Sequence, residues 1–387
     1  MHFIILTCYN GNGDFMIYLD YSATTPVDDR VLESFNKACK YVGNPNSLHE
    51  LGVKANQLIK ASSDQISKLL NLNDKEIIYT SGSSEANNLA IKGLCLKHKN
   101  RKHIITTAFE HSSIYGPINY LIDNGYKVDF VKILENGLID IDNLKELITD
   151  DTILVSIGAV NSEIGIRQPI EKIGAVLKNY NKVFFHCDAT QIIGKESIDL
   201  TNVDLISFSA HKFFGIKGIG CLIKNKNLVL LPLILGGTST TKFRSGTPCT
   251  ELIVSLAKAL RLALENIDEK SKYVESLNNI LKEKLQKYEK VFINSNDKCI
   301  PHILNLSVID VKPEVMLHAL EHYKIYISTK SACSLANLSK AVMSLTNSKK
   351  RALSSIRISI SFKTTKNEIE RFLDCFDIIY NNLTSLR

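Results

Sequence analysis

Short apolar runs alternate with stretches of helical spacing between about residues 60 and 225. The run Thr152–Ile157 is nearly all apolar, which predicts a strand that is buried on both faces. Further strands are predicted at 75–80, 103–107, 127–133, 183–188, 204–209 and 220–224, and helices at 85–99, 140–148 and 170–180. Strands that alternate with helices are typical of the α/β class, so we expect a mostly parallel mixed sheet flanked by helices.

The pattern changes near residue 250, where a helical stretch runs from Glu251 to about Lys287 with one predicted break. Shorter elements follow it, at 303–307, 313–323, 325–328, 356–360 and 366–380. This pattern of short strands among helices predicts a smaller α+β domain. We therefore divide the chain into a leader of uncertain structure (1–16), a large domain (17–250) and a small C-terminal domain (251–387). The first residues of the large domain are candidates to pack on the small one, and Met16 is an alternative start to Met1.

Composition narrows the class of protein. The 387 residues are 44% hydrophobic and 22% charged, which is ordinary globular usage. The net charge of +7 is spread along the chain, so we expect no nucleic-acid partner. No apolar run is long enough to span a bilayer, so we expect no membrane partner. The nine cysteines include no CxxC pair, which argues against a disulfide framework or a metal site and favours a reducing, cytoplasmic setting.

Two segments carry candidate binding chemistry at the ends of predicted strands. Ser83 and Ser84 follow a strand and a glycine and open a helix, an arrangement that can cradle a phosphate. The alternative is an ordinary helix cap without a ligand. Asp188 ends the strand at 183–188, where open α/β sheets bind ligands, and could pair with a protonated ring nitrogen. The alternative for Asp188 is a cap of the next helix.

Two further residues are candidates for covalent chemistry. Lys212 stands at a strand end in Ser209-Ala-His-Lys, flanked by apolar residues, where a desolvated amine can form a Schiff base. The alternative is a solvated lysine on a turn. Cys333 lies in a small, polar segment with Lys330 nearby, which favours thiolate chemistry. A surface cysteine without a role is the alternative reading.

The order and spacing of these motifs resemble those of cysteine desulfurases, pyridoxal-phosphate enzymes of the class V aminotransferase group. The resemblance covers residues 17 to 375 and rests on 18–26, 43–49, 80–90, 110–111, 160–165, 188–191, 209–212, 244–247, 331–333 and 355–359. It implies fold type I of the pyridoxal-phosphate enzymes. The nearest alternatives are a selenocysteine lyase or another enzyme of the same fold. A non-catalytic scaffold would be expected to have lost Lys212 or Asp188, and both are present.

The resemblance implies roles for individual residues around pyridoxal 5'-phosphate. Lys212 would carry the Schiff base, and Asp188 would pair with the pyridinium nitrogen. Gln191 would hydrogen-bond the phenolic oxygen, and His111 would lie over the ring and assist proton transfer. The phosphate would be held by Ser83, Ser84, Ser209 and His211.

The same resemblance implies the substrate and the partners. Asn161, near the cofactor, and Arg357 would bind the carboxylate of L-cysteine, with Arg357 as a bidentate clamp. Cys333 would take the sulfur as a persulfide while L-alanine leaves. An acceptor protein would then receive the sulfur for iron–sulfur cluster assembly or thiolation. Thr247 would reach the phosphate in the partner subunit, which implies a homodimer.

Overall fold

A computed structural model describes residues 16–329 and 338–385 of the chain. Its strands are β1 (Ile17–Tyr18), β2 (Lys75–Thr80), β3 (His103–Thr106), β4 (Lys127–Phe130), β5 (Thr152–Ser156), β6 (Phe184–Asp188), β7 (Leu205–Ser209), β8 (Gly220–Asn225), β9 (Val291–Ile293), β10 (Ile303–Val308), β11 (Ile325–Tyr326) and β12 (Ser355–Ser359). Its α-helices are α1 (Asp29–Ala38), α2 (Glu50–Leu69), α3 (Ser83–Lys97), α4 (Ser112–Asp123), α5 (Ile141–Leu147), α6 (Ile170–Leu177), α7 (Thr250–Leu264), α8 (Ile267–Leu285), α9 (Pro313–His322), α10 (Lys340–Thr346), α11 (Lys349–Leu353) and α12 (Lys366–Ser385).

The main sheet has the strand order β2-β8-β7-β6-β5-β3-β4. The strands from β7 to β4 run parallel, and β8 runs antiparallel to both of its neighbours. The predicted α/β class with a mostly parallel mixed sheet is therefore confirmed. All five residues of β5 are buried, as expected for a central strand that is covered on both faces.

Helices cover the two faces of this sheet and bury separate apolar clusters. On one face, α3 and α4 place Leu89 and Ile118 against Leu154 of β5. On the other face, α2 and α7 place Ile59 and Leu256 in a larger cluster with alternate residues of the same strands. The alternation of side chains along each strand thus provides both layers with a core.

A second, antiparallel sheet of order β12-β10-β9 forms the core of the C-terminal part, together with α8, α9 and α12. Residues Ile17 and Leu19 are fully buried in this C-terminal core, and β1 pairs in parallel with β11. The predicted break in the long helical stretch falls at Asn266, which adopts a left-handed φ of 53° between α7 and α8. Asparagine tolerates this conformation better than most residues.

The sequence pattern predicted no element where α1, α2 and α4 lie. Helix α4 contains Pro117, which the pattern reads as a helix breaker. Helix α1 carries apolar Val31, Phe35 and Ala38 at helical spacing, so its sequence does contain the signal for a helix. Among residues 16–329 and 338–385, no helix is long and apolar enough to cross a membrane. The same residues contain no cluster of side chains suited to a metal ion.

Candidate active site

A cavity of about 260 Å³ opens at the carboxyl edge of the main sheet. It lies where β3, β5, β6 and β7 end, because neighbouring parallel strands bring their carboxyl ends to one edge. Eight of the residues that the sequence singled out line it: Ser83, Ser84, His111, Asp188, Gln191, His211, Lys212 and Arg357. Residues far apart in the chain therefore share one pocket.

Lys212 enters the cavity from a single 3₁₀ turn directly after β7. Its Nζ donates hydrogen bonds to the carbonyl oxygens of Ser22 (2.6 Å) and Ala23 (2.8 Å). The 22–25 segment is fixed in turn by Thr25, whose N–H donates to the carbonyl of His211 (2.9 Å). The amine thus donates to two backbone carbonyl oxygens.

Asp188, the last residue of β6, is oriented through both of its oxygens. Its Oδ1 accepts the backbone N–H of Thr190 (3.0 Å), and its Oδ2 accepts Nδ2 of Asn87 (2.8 Å). Asn87 is fully buried in α3, so the helix on one face of the sheet holds a carboxylate at its edge. A carboxylate fixed in this way is suited to accept a hydrogen bond from a protonated ring nitrogen.

His111 caps α4 and is locked in one tautomer. Its Nδ1 accepts the backbone N–H of Ser113 (3.1 Å), so the proton of the neutral ring lies on Nε2. Burial lowers the pKa of His111, the nearby Asp188 raises it and Lys212 lowers it, with a net shift downward. Ser113 Oγ contacts both His111 Nδ1 (2.8 Å) and Asn87 Nδ2 (2.9 Å). A chain of hydrogen bonds therefore connects His111 to Asp188 through Ser113 and Asn87.

The start of α3 forms the opposite end of the cavity. The helix begins at Ser83 after the N-cap residue Gly82, which has no side chain to cap it. The alternative in which Ser83 or Ser84 is the cap is therefore wrong. Ser209 Oγ accepts the N–H of Ser83 (2.7 Å), and a Cβ on Gly82 would lie only 3.1 Å from that oxygen. Uncapped N–H groups and serine hydroxyls at a helix N-terminus are suited to bind an anion.

Arg357 reaches the cavity from β12 of the C-terminal sheet. The residue is 2% exposed, and its Nη2 donates to Oδ1 of Asp20 (2.7 Å) while its Nη1 donates to the carbonyl of Ser162 (2.8 Å). Its Nε has no hydrogen-bond partner among the described residues. A buried guanidinium with an open donor is suited to bind a carboxylate.

Three of the predicted site residues within the described part of the chain do not line this cavity: Ser209, Asn161 and Thr247. Ser209 instead accepts the N–H of Ser83 through its Oγ. Asn161 uses its side-chain oxygen to accept the N–H groups of Glu163 and Ile164 (2.9 Å each), so it shapes a turn. Thr247 is exposed and lies in a neighbouring recess beside Arg244. Cys333 lies outside the described residues.

Sequence reasoning assigned no role to Glu110, which also lines the cavity. Its Oε1 accepts Thr107 Oγ1 (2.6 Å), and both carboxyl oxygens accept the N–H of Gly158, at 3.1 and 3.0 Å. Burial raises the pKa of Glu110 to about 7, against hydrogen bonds that lower it. The only signal in the sequence was its position next to His111 at a strand end.

Glu110→Gln should remove a pH-dependent loss of stability. The folded state holds the Glu110 proton up to about pH 7, whereas the unfolded chain releases it near its ordinary pKa of 4.5. The unfolding free energy therefore falls as pH rises through this window, by about 3 kcal/mol, and it levels off above pH 7. Urea unfolding of both proteins between pH 4.5 and 8 measures the difference, and parallel pH profiles would contradict it.

Comparison with known proteins places this geometry in a family. The description "Aminotransferase class-V" matches residues 17–372. A protein of Buchnera aphidicola subsp. Acyrthosiphon pisum named "Cysteine desulfurase IscS" is 42% identical over 386 residues, covering 96% of this chain and 93% of that protein.

Solved structures agree with the match in sequence. A "NifS-like protein" superposes with a TM-score of 0.88 and 33% identity, covering 96% of this chain and all of the other. A structure described as "SspA in complex with cysteine" superposes with a TM-score of 0.78 and 33% identity, over 89% of this chain and 99% of the other. With the cavity at the edge of a mostly parallel sheet and the match over most of its length, the chain belongs to the class-V aminotransferase family.

Proposed function

We propose that this protein is a pyridoxal-phosphate-dependent cysteine desulfurase, which converts L-cysteine to L-alanine and passes the sulfur to an acceptor protein. The observation that carries the proposal is the meeting of Lys212, Asp188 and Arg357 in one cavity. A relative named cysteine desulfurase at 42% identity and a structural neighbour described with cysteine bound support the same activity.

The donors and acceptors of the cavity fit pyridoxal phosphate. The uncapped start of α3, with Ser83 and Ser84, would take the phosphate, and Asp188 would take the ring nitrogen. Lys212 supplies the amine, and Gln191 supplies an amide beside it. Cationic, anionic and neutral polar groups thus occur in one pocket, as the charge pattern of this cofactor requires.

Each of the residues around the cofactor would have its own role in the reaction. When bound, pyridoxal phosphate supplies an electron sink for the charge that forms at the substrate's Cα. Arg357 binds the substrate carboxylate, and Lys212 moves the Cα proton. His111, neutral with its proton on Nε2, is suited to exchange a proton with the substrate.

The proposed sulfur step takes place on Cys333. Its thiolate attacks the sulfur of the substrate, an S–S bond forms, and the C–S bond breaks. The electron pair of that bond stays on carbon, which takes up a proton to complete alanine. Cys333 is left as a persulfide for the acceptor.

The anchors of the segment 330–337 support this role of Cys333. On one side, the N–H of Arg357 donates to the carbonyl of Ser328 (2.7 Å). On the other, Ser339 Oγ donates to Glu163 (2.6 Å), next to Ser162 of the cavity wall. Ser328 thus pairs with Arg357, a residue of the cavity wall, five positions before Cys333 in the sequence.

Addition of L-cysteine to the purified protein tests the activity directly. We expect equal amounts of alanine and of sulfur, with the sulfur released as sulfide when a thiol reductant is present. An aminotransferase would consume cysteine without forming alanine and sulfide together. Cysteine turnover without both products would exclude the proposed function.

We further propose that the protein acts as a homodimer with shared sites. Val42, Leu48 and Leu235 are 81%, 97% and 79% exposed, and patches of such large apolar side chains mark protein contacts. The hydrogen bond between Asn46 Nδ2 and Ser239 Oγ (3.0 Å) joins the two segments that carry them. The exposed position of Thr247 is compatible with a contact to the partner subunit.

Mixing two variants that each damage the active site tests whether the site is shared between subunits. In a heterodimer of Thr247→Ala and Lys212→Ala chains, one site receives both defects and the other receives neither. The heterodimer should therefore have about half of the wild-type activity, although Thr247→Ala alone loses about tenfold for one charge-assisted hydrogen bond. Activity of purified, differently tagged heterodimers is the measurement. A heterodimer no more active than its parents would show that Thr247 serves its own subunit or no site.

A further inference from the structure

Lys195 is a buried lysine whose hydrogen-bond partner is a neutral amide. It is 7% exposed, and its Nζ donates a hydrogen bond to Oε1 of Gln191, on the cavity wall. Among the described residues, no carboxylate forms an ion pair with it. Burial and the cations Lys212 and Arg357 hold the pKa of Lys195 well below its ordinary value. An apolar side chain would occupy this place at lower cost, so the amine calls for an explanation.

The contacts of Gln191 supply that explanation. The two ends of a side-chain amide have nearly the same shape but opposite hydrogen-bonding character. At one end, Oε1 accepts from Lys195, and at the other, Nε2 donates to the carbonyl of Ser22 (2.9 Å). In the reversed orientation, the NH₂ group would face the amine and the oxygen would face the carbonyl of Ser22. Both contacts therefore select the same orientation of Gln191.

This orientation determines what Gln191 can offer to a ligand. One N–H is used by Ser22, and the second N–H of the same group can be donated to an acceptor in the cavity. The carbonyl of Ser22 also accepts from Lys212 Nζ (2.6 Å). The carbonyl of Ser22 thus accepts from both Gln191 and Lys212, and Lys195 contacts the opposite end of the Gln191 amide.

We propose that Lys195 is a positioning residue that holds the Gln191 amide with its NH₂ group toward an acceptor oxygen of the bound cofactor. The inference rests on the proposed function, because it takes pyridoxal phosphate as the ligand of the cavity. His302 and His211 are further ionisable groups close to Lys195, and burial together with the lysine lowers the pKa of His302 to about 3. The charged groups that act on Lys195 are the cations Lys212 and Arg357, so removal of the amine leaves no unpaired carboxylate.

Lys195→Met keeps the length of the side chain and removes the donor. We expect the visible absorption maximum of the bound cofactor to shift and its dissociation constant to rise about tenfold, as for loss of one hydrogen bond. The shift should have the same direction as in Gln191→Leu. In the Gln191→Leu background, Lys195→Met should change neither quantity further, because Lys195 acts through Gln191. Independent effects in the double variant would overturn the proposal.

Lys75 provides a matched control. It is also buried, and its Nζ donates to the amide oxygen of Asn225 (2.6 Å), at a distant part of the sheet. Lys75→Met should reduce stability without a change in the spectrum or in cofactor affinity. If Lys195→Met does not fold, Lys195→Gln is the second variant. It retains an N–H donor for Gln191, so its spectrum should stay that of the wild type, and a shifted spectrum would contradict the proposal.

The wild-type protein distinguishes failure of the proposed function from failure of the proposed role of Lys195. A wild-type chain that binds no pyridoxal phosphate would refute the proposed function. A wild-type chain that binds the cofactor normally, with Lys195→Met identical to it in spectrum and affinity, would refute only the role of Lys195.

Discussion

Lys212→Ala will abolish the covalent attachment of the cofactor and reduce cysteine turnover by about 10²- to 10⁴-fold or more, the range for loss of a positioned proton-transfer group. The physical reason is that Lys212 supplies the amine at the end of β7, held by the carbonyls of Ser22 and Ala23. The visible spectrum and the intact mass after borohydride reduction are the measurements. Wild-type protein should gain the mass of the reduced cofactor, and the variant should not.

Lys217→Ala is the matched control for this experiment. Lys217 follows five residues later in the same segment and is exposed. Its removal should leave the reducible linkage and the turnover unchanged. A linkage that persists in Lys212→Ala, or that disappears in Lys217→Ala, would show that another lysine carries the cofactor.

The prediction of Lys212 and Asp188 from the sequence depended on a property of parallel sheets. Both residues stand at or directly after the carboxyl end of a strand, and neighbouring parallel strands end at the same edge. Local periodicity located β6 and β7, so the meeting of the two side chains could be expected. The roles of individual residues came from the resemblance to a family and not from periodicity.

Other features of the cavity could not be predicted because they depend on contacts between distant elements. Asp20 and Arg357 are separated by 337 positions in the chain, and only the pairing of the N-terminal strand with the C-terminal sheet brings them together. Asn87 reaches Asp188 because α3 packs across the sheet. The contact between Lys195 and Gln191 follows from one turn of backbone that no hydrophobic pattern marks.

The ion pair between Arg357, on the cavity wall, and Asp20 would preform the proposed substrate site. An arginine buried without an anion would be strongly destabilising, and the Asp20 carboxylate offsets its charge at 2.7 Å. Because Arg357 Nη1 also donates to the carbonyl of Ser162, the guanidinium is fixed before a substrate arrives. In a preformed site of this kind, less of the binding free energy is lost to ordering the side chains.

Cys333→Ser will bind the cofactor and L-cysteine but release alanine at less than about one-hundredth of the wild-type rate. A serine hydroxyl is a far weaker nucleophile than a thiolate at neutral pH, and it cannot hold a persulfide. Lys212, Asp188 and Arg357 remain in place, so the spectrum of the cofactor should still change when L-cysteine is added. Stopped-flow absorbance and alanine release separate the two events.

Cys39→Ser is the control for a general effect of thiol removal. Cys39 is exposed at the end of α1 and lies outside the cavity, so its loss should leave alanine release at the wild-type rate. After incubation with L-cysteine, alkylation and mass spectrometry should find the additional sulfur on Cys333 in both the wild type and Cys39→Ser. If Cys333→Ser still desulfurated L-cysteine near the wild-type rate, the reaction would not need this thiol, and the proposed desulfurase mechanism would be contradicted. A lyase or aminotransferase acting on the same cavity would then explain Lys212, Asp188 and Arg357 better, since neither reaction needs a protein thiol.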